Sequence, residues 1–297
     1  MASVAPRDNY PRHCVPSIDM KTLKDKVVVI TGAGSGIGRA LAVNCAKRGS
    51  LLALSDVNEV GLAETRDLAV AAGATKVRTD KLDVADRAAF DAYAKAVITD
   101  FGRVNVVINN AGVALAGDFI DLDLKDIDWI LGINLFGVIH GTKFFLPAII
   151  ESGDGHVVNI SSLFGLVSMP GQTAYNASKY AVRGLTEALR EEMLIAGNKV
   201  GVTAVHPGGI KTAIARNART SAKEDAAATA KLFDEVLART TPEKAAEVII
   251  NGILKNQARV LVGLDAHAVH NFGKFTGSRY QDIVALGAKR FMPKKLS

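Results

Sequence analysis

The 297-residue sequence predicts an α/β protein, a doubly wound parallel sheet held between two layers of helices in a single domain. Two observations carry this reading. Short apolar runs rich in β-branched residues alternate along the chain with longer stretches of helical period. The first run, Lys26-Val27-Val28-Val29-Ile30, is continuously apolar rather than alternating, as a strand buried on both faces requires. With 48% hydrophobic and 22% charged residues, the composition is ordinary for a globular chain.

Residues 1–24 are rich in proline and polar residues and read as an extended arm. After the first strand comes Thr31-Gly32-Ala33-Gly34-Ser35-Gly36-Ile37-Gly38, then an apolar-periodic stretch from Arg39 to Arg48. A strand, a glycine turn and a helix start form a phosphate site, because glycines admit the backbone close to a pyrophosphate and the helix N-terminus supplies N–H donors. The next strand, Leu51-Leu52-Ala53-Leu54-Ser55, is closed by Asp56. An acid about 20 residues past the glycines is placed to hold the adenosine ribose hydroxyls and to repel a 2′-phosphate. No basic residue stands at Ser35 or Val57, so the reading is NAD, with NADP the less favoured cofactor. The alternative is that Asp56 caps the following helix.

Helix 59–72, a strand near 75–79, helix 86–100 and the strand Val104–Ile108 continue the alternation. Residues 125–151 read as one long apolar helix carrying a polar Asn134, which needs partners. His156–Ile160 is the next strand, with Ser161-Ser162 at its end. A glycine-rich apolar loop, 163–171, delivers the chain to a helix over 174–196, and Val200–Val205 and Arg259–Gly263 read as the last two strands.

Tyr175 and Lys179 are four residues apart, which puts them on one helix face. A phenol with a pKa of about 10 is a poor base at neutral pH, and a neighbouring ammonium favours its phenolate. Such a pair can exchange a proton with an alcohol or a carbonyl. Standing alone, the spacing is equally that of two unrelated residues on a helix.

The net charge of +6 is unevenly placed. Residues 1–24 hold four basic side chains against two acidic, residues 264–297 hold six against two, and the body between is balanced. A nucleic-acid-binding core is not indicated. Cys14 and Cys45 lie far apart with no metal-ligand spacing, which points to no disulfide framework, no metal site and a reducing, cytoplasmic setting. Pro6, Arg7, Asp8 and Pro11 precede any apolar run, unlike an ordinary signal peptide, and no stretch was expected to approach the ~20 apolar residues of a membrane span.

Taken in order, the glycine pattern, Asn109-Asn110-Ala111-Gly112, the Ser162, Tyr175 and Lys179 set and Pro207-Gly208 resemble the short-chain dehydrogenase/reductase family over roughly residues 25–263. The resemblance implies a Rossmann-type NAD(P)-binding catalytic domain with a general acid/base at Tyr175 and a substrate-polarising Ser162, Ser161 being the less favoured neighbour. It further implies that Lys179 binds the nicotinamide ribose, and that Asn134 holds a water linking Lys179 to solvent. Gly32, Ser35, Gly36, Ile37 and Gly38 would take the pyrophosphate. Asp83 and Val84 would contact adenine, Asn110, Ala111 and Gly112 would line the cofactor, and Pro207, Gly208, Ile210 and Thr212 would meet its nicotinamide end. Asn110 is also readable as a strand-ending turn, and Thr212 as a helix cap. The implied activity is interconversion of a secondary alcohol and a ketone, with a non-catalytic nucleotide sensor and an NADPH-preferring carbonyl reductase as alternatives.

Segments 113–119, 163–171 and 210–235 should border the substrate. The first two offer Val113, Leu115, Phe119, Leu163, Phe164, Leu166, Val167 and Met169, which favours an apolar small-molecule alcohol or ketone. The third reads as a mobile lid with Arg216 and Arg219 solvated. The long helices at 125–151 and 174–196 imply, through the resemblance, a homodimer or homotetramer. In the C-terminal extension, 264–297, Tyr280, Ile283, Val284, Gly287, Ala288 and Phe291 share a helical face flanked by Arg279, Lys289, Arg290, Lys294 and Lys295. Packing on protein is the favoured use of that face, and contact with an anionic membrane the less favoured one.

Overall fold

A computed structural model provides the structure of the chain and describes residues 20–232, 235 and 238–291. Of the expected features, residues 1–19 of the arm, Lys294 and Lys295 lie outside the described residues, as do the side chains of Lys289, Arg290 and Phe291.

Seven parallel strands form the sheet: β1 (Val27–Thr31), β2 (Leu51–Asp56), β3 (Val77–Lys81), β4 (Val106–Asn109), β6 (Gly155–Ile160), β7 (Val200–Pro207) and β9 (Arg259–Val262). Their order is β3-β2-β1-β4-β6-β7-β9. The chain therefore winds outward from β1 in one direction, then returns and winds the other way from β4. Crossover helices cover both faces, as parallel strands demand. One face packs against α1 (Gly36–Ala46), α2 (Glu59–Ala71) and α8 (Pro242–Leu254), with Leu41, Leu62 and Ile249 in a common cluster. The other packs against α3 (Arg87–Phe101), α5 (Gly137–Glu151) and α6 (Thr173–Ile195) around Phe90, Phe145 and Leu189. In β1, β2, β4, β6 and β7 the side chains are almost wholly buried on both faces, which is why those runs are largely apolar, whereas the edge strand β3 is part-exposed and polar.

Several boundaries differ from the sequence reading. Residues 20–24, expected in the arm, belong to the body, because Met20 and Leu23 are buried in the first cluster and Ser50 Oγ donates to the Leu23 carbonyl. β3 is displaced two residues toward the C-terminus. The long helix is not uniform: α4 (Leu124–Leu131) and α5 are joined through a π turn at Gly132–Phe136, with Asn134 at its centre. The expectation that no stretch approaches a membrane span is also corrected. Leu124–Glu151 is long and apolar enough by length and composition, although 44% of its most apolar window is buried inside the protein.

A small second sheet joins β5 (Leu115–Ala116) to β8 (Arg219–Thr220), a pairing the sequence did not announce. It ties the expected lid to the body. Arg219, read as solvated, pairs with Asp126 at 2.7 Å and stacks 3.8 Å from the Trp129 ring. Lys223 pairs with Asp121 at 2.7 Å. The segment also contains α7 (Ala226–Leu232). The C-terminal extension forms α9 (Leu264–Thr276) and α10 (Tyr280–Phe291); α9 packs on its own subunit, whereas α10 touches it through Tyr280 and leaves Ile283 of the expected face 49% exposed. The Ser168 N–H donates to Tyr280 Oη, and α9 passes so close to Val167 that a Cβ on Gly273 would come within 2.8 Å of it.

Candidate active site

In open α/β sheets ligands bind beyond the carboxyl ends of the strands, where the winding reverses. Here a cavity of about 510 Å³ lies at that edge. Its walls follow the strand order. Gly32, Ser35, Gly36 and Ile37 come after β1, Asp56 ends β2, Asp83 and Val84 come after β3, and Asn110, Ala111 and Gly112 come after β4. Ser162 follows β6, Pro207 ends β7 and Gly208 follows it, and Tyr175 and Lys179 enter from α6.

The glycine turn is built to admit a ligand. Gly32 and Gly36 have φ of 64° and 52°, conformations that side chains disfavour. Gly38 does not line the cavity; a Cβ there would come within 2.1 Å of the Gly32 carbonyl, so this glycine lets α1 seat against the turn. The N-terminus of α1 has no side-chain cap at Ser35, leaving its donors and positive potential toward the cavity. Asp56 accepts from Gly34 N–H at 2.8 Å and from Asn58 N–H at 2.9 Å. It does not cap α2; Asn58 does, accepting from Gly61 N–H. Arg39 lies nearby but is engaged by the Gly34 and Gly61 carbonyls, Thr65 and Glu64. No lysine or arginine among the described residues lines this end of the cavity.

Asn110 supports its turn reading as well as its position. Its amide donates to the Thr31 and Gly32 carbonyls, while Thr31 Oγ1 accepts from the Asn110 and Ala111 N–H groups. The two central strand ends are thereby locked together. Ile210 and Thr212 line the cavity, and Thr212 lies against Gly36, closing over the glycine turn. Thr212 is no helix cap, since the next helix begins only at Ala226.

The two serines separate cleanly. Ser161 Oγ donates to the Lys179 carbonyl and serves the fold of α6. Ser162 accepts from Phe164 N–H at 3.1 Å and hydrogen-bonds Tyr175. Phe164 meets the Tyr175 ring edge-on, with centroids 6.2 Å apart. Lys179, 4% exposed, donates to the Ile160 carbonyl at 3.1 Å, and its ammonium stands 5.6 Å from the Tyr175 ring centroid.

Burial pushes the Tyr175 phenol above its usual value, with the Ser162 hydrogen bond drawing it back. Burial also lowers Lys179 to about 8. The expected depression of Tyr175 by Lys179 is therefore absent from this arrangement, where desolvation of the phenol outweighs a distant ammonium that is itself desolvated. Asn134 is fully buried. Its amide exchanges two hydrogen bonds with the Val113 backbone and donates to Ser178 Oγ, so its side chain is taken up by protein.

Of the apolar candidates, Val113, Leu163, Phe164 and Met169 line the cavity. Leu115, Leu166, Val167 and Phe119 do not: Leu115 and Val167 are buried elsewhere, and Phe119 faces solvent. The sequence reading missed Gln172, Asp265 and Val269. The last two come from α9, beyond the family pattern, and the only signal for them was an acid three residues past the final strand.

A nucleotide cradle at one end and a buried Ser-Tyr-Lys set at the other define an oxidoreductase that works with a nicotinamide nucleotide. Comparisons agree. The family model for short chain dehydrogenases matches residues 26–223. SadH of Mycobacterium tuberculosis is 56% identical over 274 residues, covering 92% of this chain and 99% of its own. A short chain dehydrogenase/reductase from Burkholderia phymatum, solved in complex with NAD, has a TM-score of 0.78 at 33% identity and covers 94% of this chain and 100% of its own. A Mycobacterium paratuberculosis short chain dehydrogenase bound to NAD gives 0.70 at 26% identity, covering 81% and 97%. The chain belongs to the short-chain dehydrogenase/reductase family.

Proposed function

We propose that the protein is an NAD-dependent oxidoreductase interconverting an apolar secondary alcohol and its ketone. The observation that carries this reading is the convergence of Ser162, Tyr175 and Lys179 on the same cavity that the glycine turn and Asp56 border. The residues fit the nucleotide. An uncapped helix start faces the pyrophosphate position, and no Cβ intrudes at Gly32, Gly34 or Gly36. When bound, the nicotinamide supplies the hydride acceptor, or the donor in the reverse direction. Tyr175 takes the hydroxyl proton of the alcohol, and Ser162 donates a hydrogen bond to the oxygen as its charge changes. Lys179 and Asp56 would hold the two riboses, and Asp83 and Val84 would meet the adenine. Phe164, Met169, Val113 and Leu163 exclude water from the reacting carbon. Cytoplasmic placement remains part of this reading.

The choice of NAD rests on Asp56, whose carboxylate would meet a 2′-phosphate with no compensating cation beside it. Asp56→Ala should narrow the preference for NAD over NADP by about tenfold, read by equilibrium titration with both nucleotides. Equal affinity of the unmodified protein for the two would refute the argument.

A homodimer or homotetramer through α4, α5 and α6 is supported by Phe136 and Ile195, which are 46% and 87% exposed on this segment of the surface. Light scattering at micromolar concentration should give at least twice the mass of one chain, and a monomer would contradict the reading.

A further inference from the structure

The cavity carries charge at both ends, and the two ends differ. Asp56 and Asp83 stand over β2 and β3, on the side of the sheet that takes the adenosine half. Ser162, Tyr175, Lys179 and Gly208 stand over β6 and β7, where the chemistry occurs. Beside β7 runs β9, and a stretch that opens with Gly263 leads from it into α9. The third residue of that stretch, Asp265, lines the same cavity.

The position of the Asp265 carboxylate is tightly defined. Oδ2 accepts from Gly209 N–H at 2.6 Å. The carboxylate lies flat against Gly208, so close that a Cβ there would fall 2.1 Å from Oδ2. Gly208 N–H donates to the Val262 carbonyl, and the Lys211 and Thr240 backbones bond each other, so the Gly208–Gly209–Ile210 turn and Asp265 form one braced unit. Gly263 has φ of 99° and is the residue that lets the chain double back from β9 to present Asp265.

Among the described residues lining the cavity, Lys179 is the sole lysine or arginine and Asp265 is the acid at the reactive end. The oxidised nicotinamide ring is a cation and the reduced ring is neutral. A fixed carboxylate beside this end therefore interacts with the two redox states differently, and in a desolvated site such a difference is large. Without Asp265 the oxidised ring would share the reactive end with the Lys179 ammonium and no opposing charge.

We infer that Asp265 selects the redox state of the cofactor that binds, favouring the cationic oxidised nicotinamide over the neutral reduced one, so that the free protein loads with NAD⁺ and releases NADH readily. The inference rests on the nicotinamide-dependent activity proposed above. Asp265 acts on nucleotide binding; the proton is still handled by Tyr175 and Ser162.

The test uses the full-length protein and measures dissociation constants for NADH by fluorescence and for NAD⁺ by competition. Asp265→Asn keeps an oxygen to accept from Gly209 N–H while removing the charge. It should weaken NAD⁺ relative to NADH by about tenfold, equivalent to ~1.4 kcal/mol. Asp265→Ser offers a second uncharged acceptor and should shift the ratio the same way, whereas Asp265→Glu should leave it near that of the unmodified protein. An unchanged ratio in both neutral variants, with both nucleotides still bound, would overturn the inference and show that Asp265 only braces the turn. Failure of the unmodified protein to bind either nucleotide would instead sink the functional reading beneath it.

Discussion

Tyr175→Phe is expected to lower kcat by about 10³-fold with a secondary alcohol or ketone while NADH still binds. The substitution removes one oxygen and keeps the ring, so the edge-on contact with Phe164 at 6.2 Å is retained. Lys179 keeps its bond to the Ile160 carbonyl, which does not involve Tyr175. What is lost is the group that exchanges a proton with the substrate oxygen, and Ser162 alone is left facing the developing charge. Because burial holds the phenol above its usual pKa, Tyr175 is protonated in the free protein at neutral pH. Ketone reduction needs that protonated form and alcohol oxidation needs the phenolate, so the oxidation rate should climb with rising pH while reduction holds level and falls only above a pH of about 10. Steady-state absorbance of NADH from about pH 6 to about pH 11 checks both statements. Turnover in Tyr175→Phe close to that of the parent would remove Tyr175 from its assigned role, and with it the main argument against a non-catalytic nucleotide sensor.

Sheet, helices and most of the site were legible in the sequence because they obey local rules. β1 declares itself through five consecutive buried residues, and the glycine turn through backbone conformations that other residues avoid. Tyr175 and Lys179 share a helix face by spacing alone. What stayed hidden depends on chain segments that meet only after folding. The pairing of Leu115–Ala116 with Arg219–Thr220 joins residues about a hundred apart and just two long on each side, too short for any periodicity to register. Arg219 looked solvated because its partners, Trp129 and Asp126, lie on a helix that no local pattern connects to it. Asp265 stood outside the recognised pattern, and its role follows from the neighbouring of β7 and β9. The Tyr175 pKa direction was misread for a related reason. Spacing reports the nearness of an ammonium, whereas desolvation depends on everything packed around the phenol.

Two buried histidines should make the protein acid-sensitive. His156 Nε2–H donates to Thr203 Oγ1 at 2.8 Å, since that hydroxyl gives its own proton to the Gln257 carbonyl. Its Nδ1 has no protein partner. His206 Nδ1–H donates to the Ser162 carbonyl at 2.8 Å, and its Nε2 is likewise unpartnered. Both rings are therefore held neutral. Burial, aided by Arg190 at His156 and by Arg259 and Arg183 at His206, lowers them to about 3 and about 4. In the unfolded chain each takes up a proton near pH 6.5. The unfolded state thus binds more protons between pH 6.5 and the folded values, and stability present above pH 6.5 is lost as pH falls through that window. At pH 4.5 each ring should cost roughly 2–3 kcal/mol, together ~5 kcal/mol, a large share of the 5–15 kcal/mol that holds a domain folded. Urea unfolding at pH 7 and pH 4.5 measures the loss. His156→Gln, which keeps a donor for Thr203 but cannot take a proton, should lose about half as much stability over the same interval as the parent. An identical loss in the variant would show that His156 is not a source of the acid sensitivity.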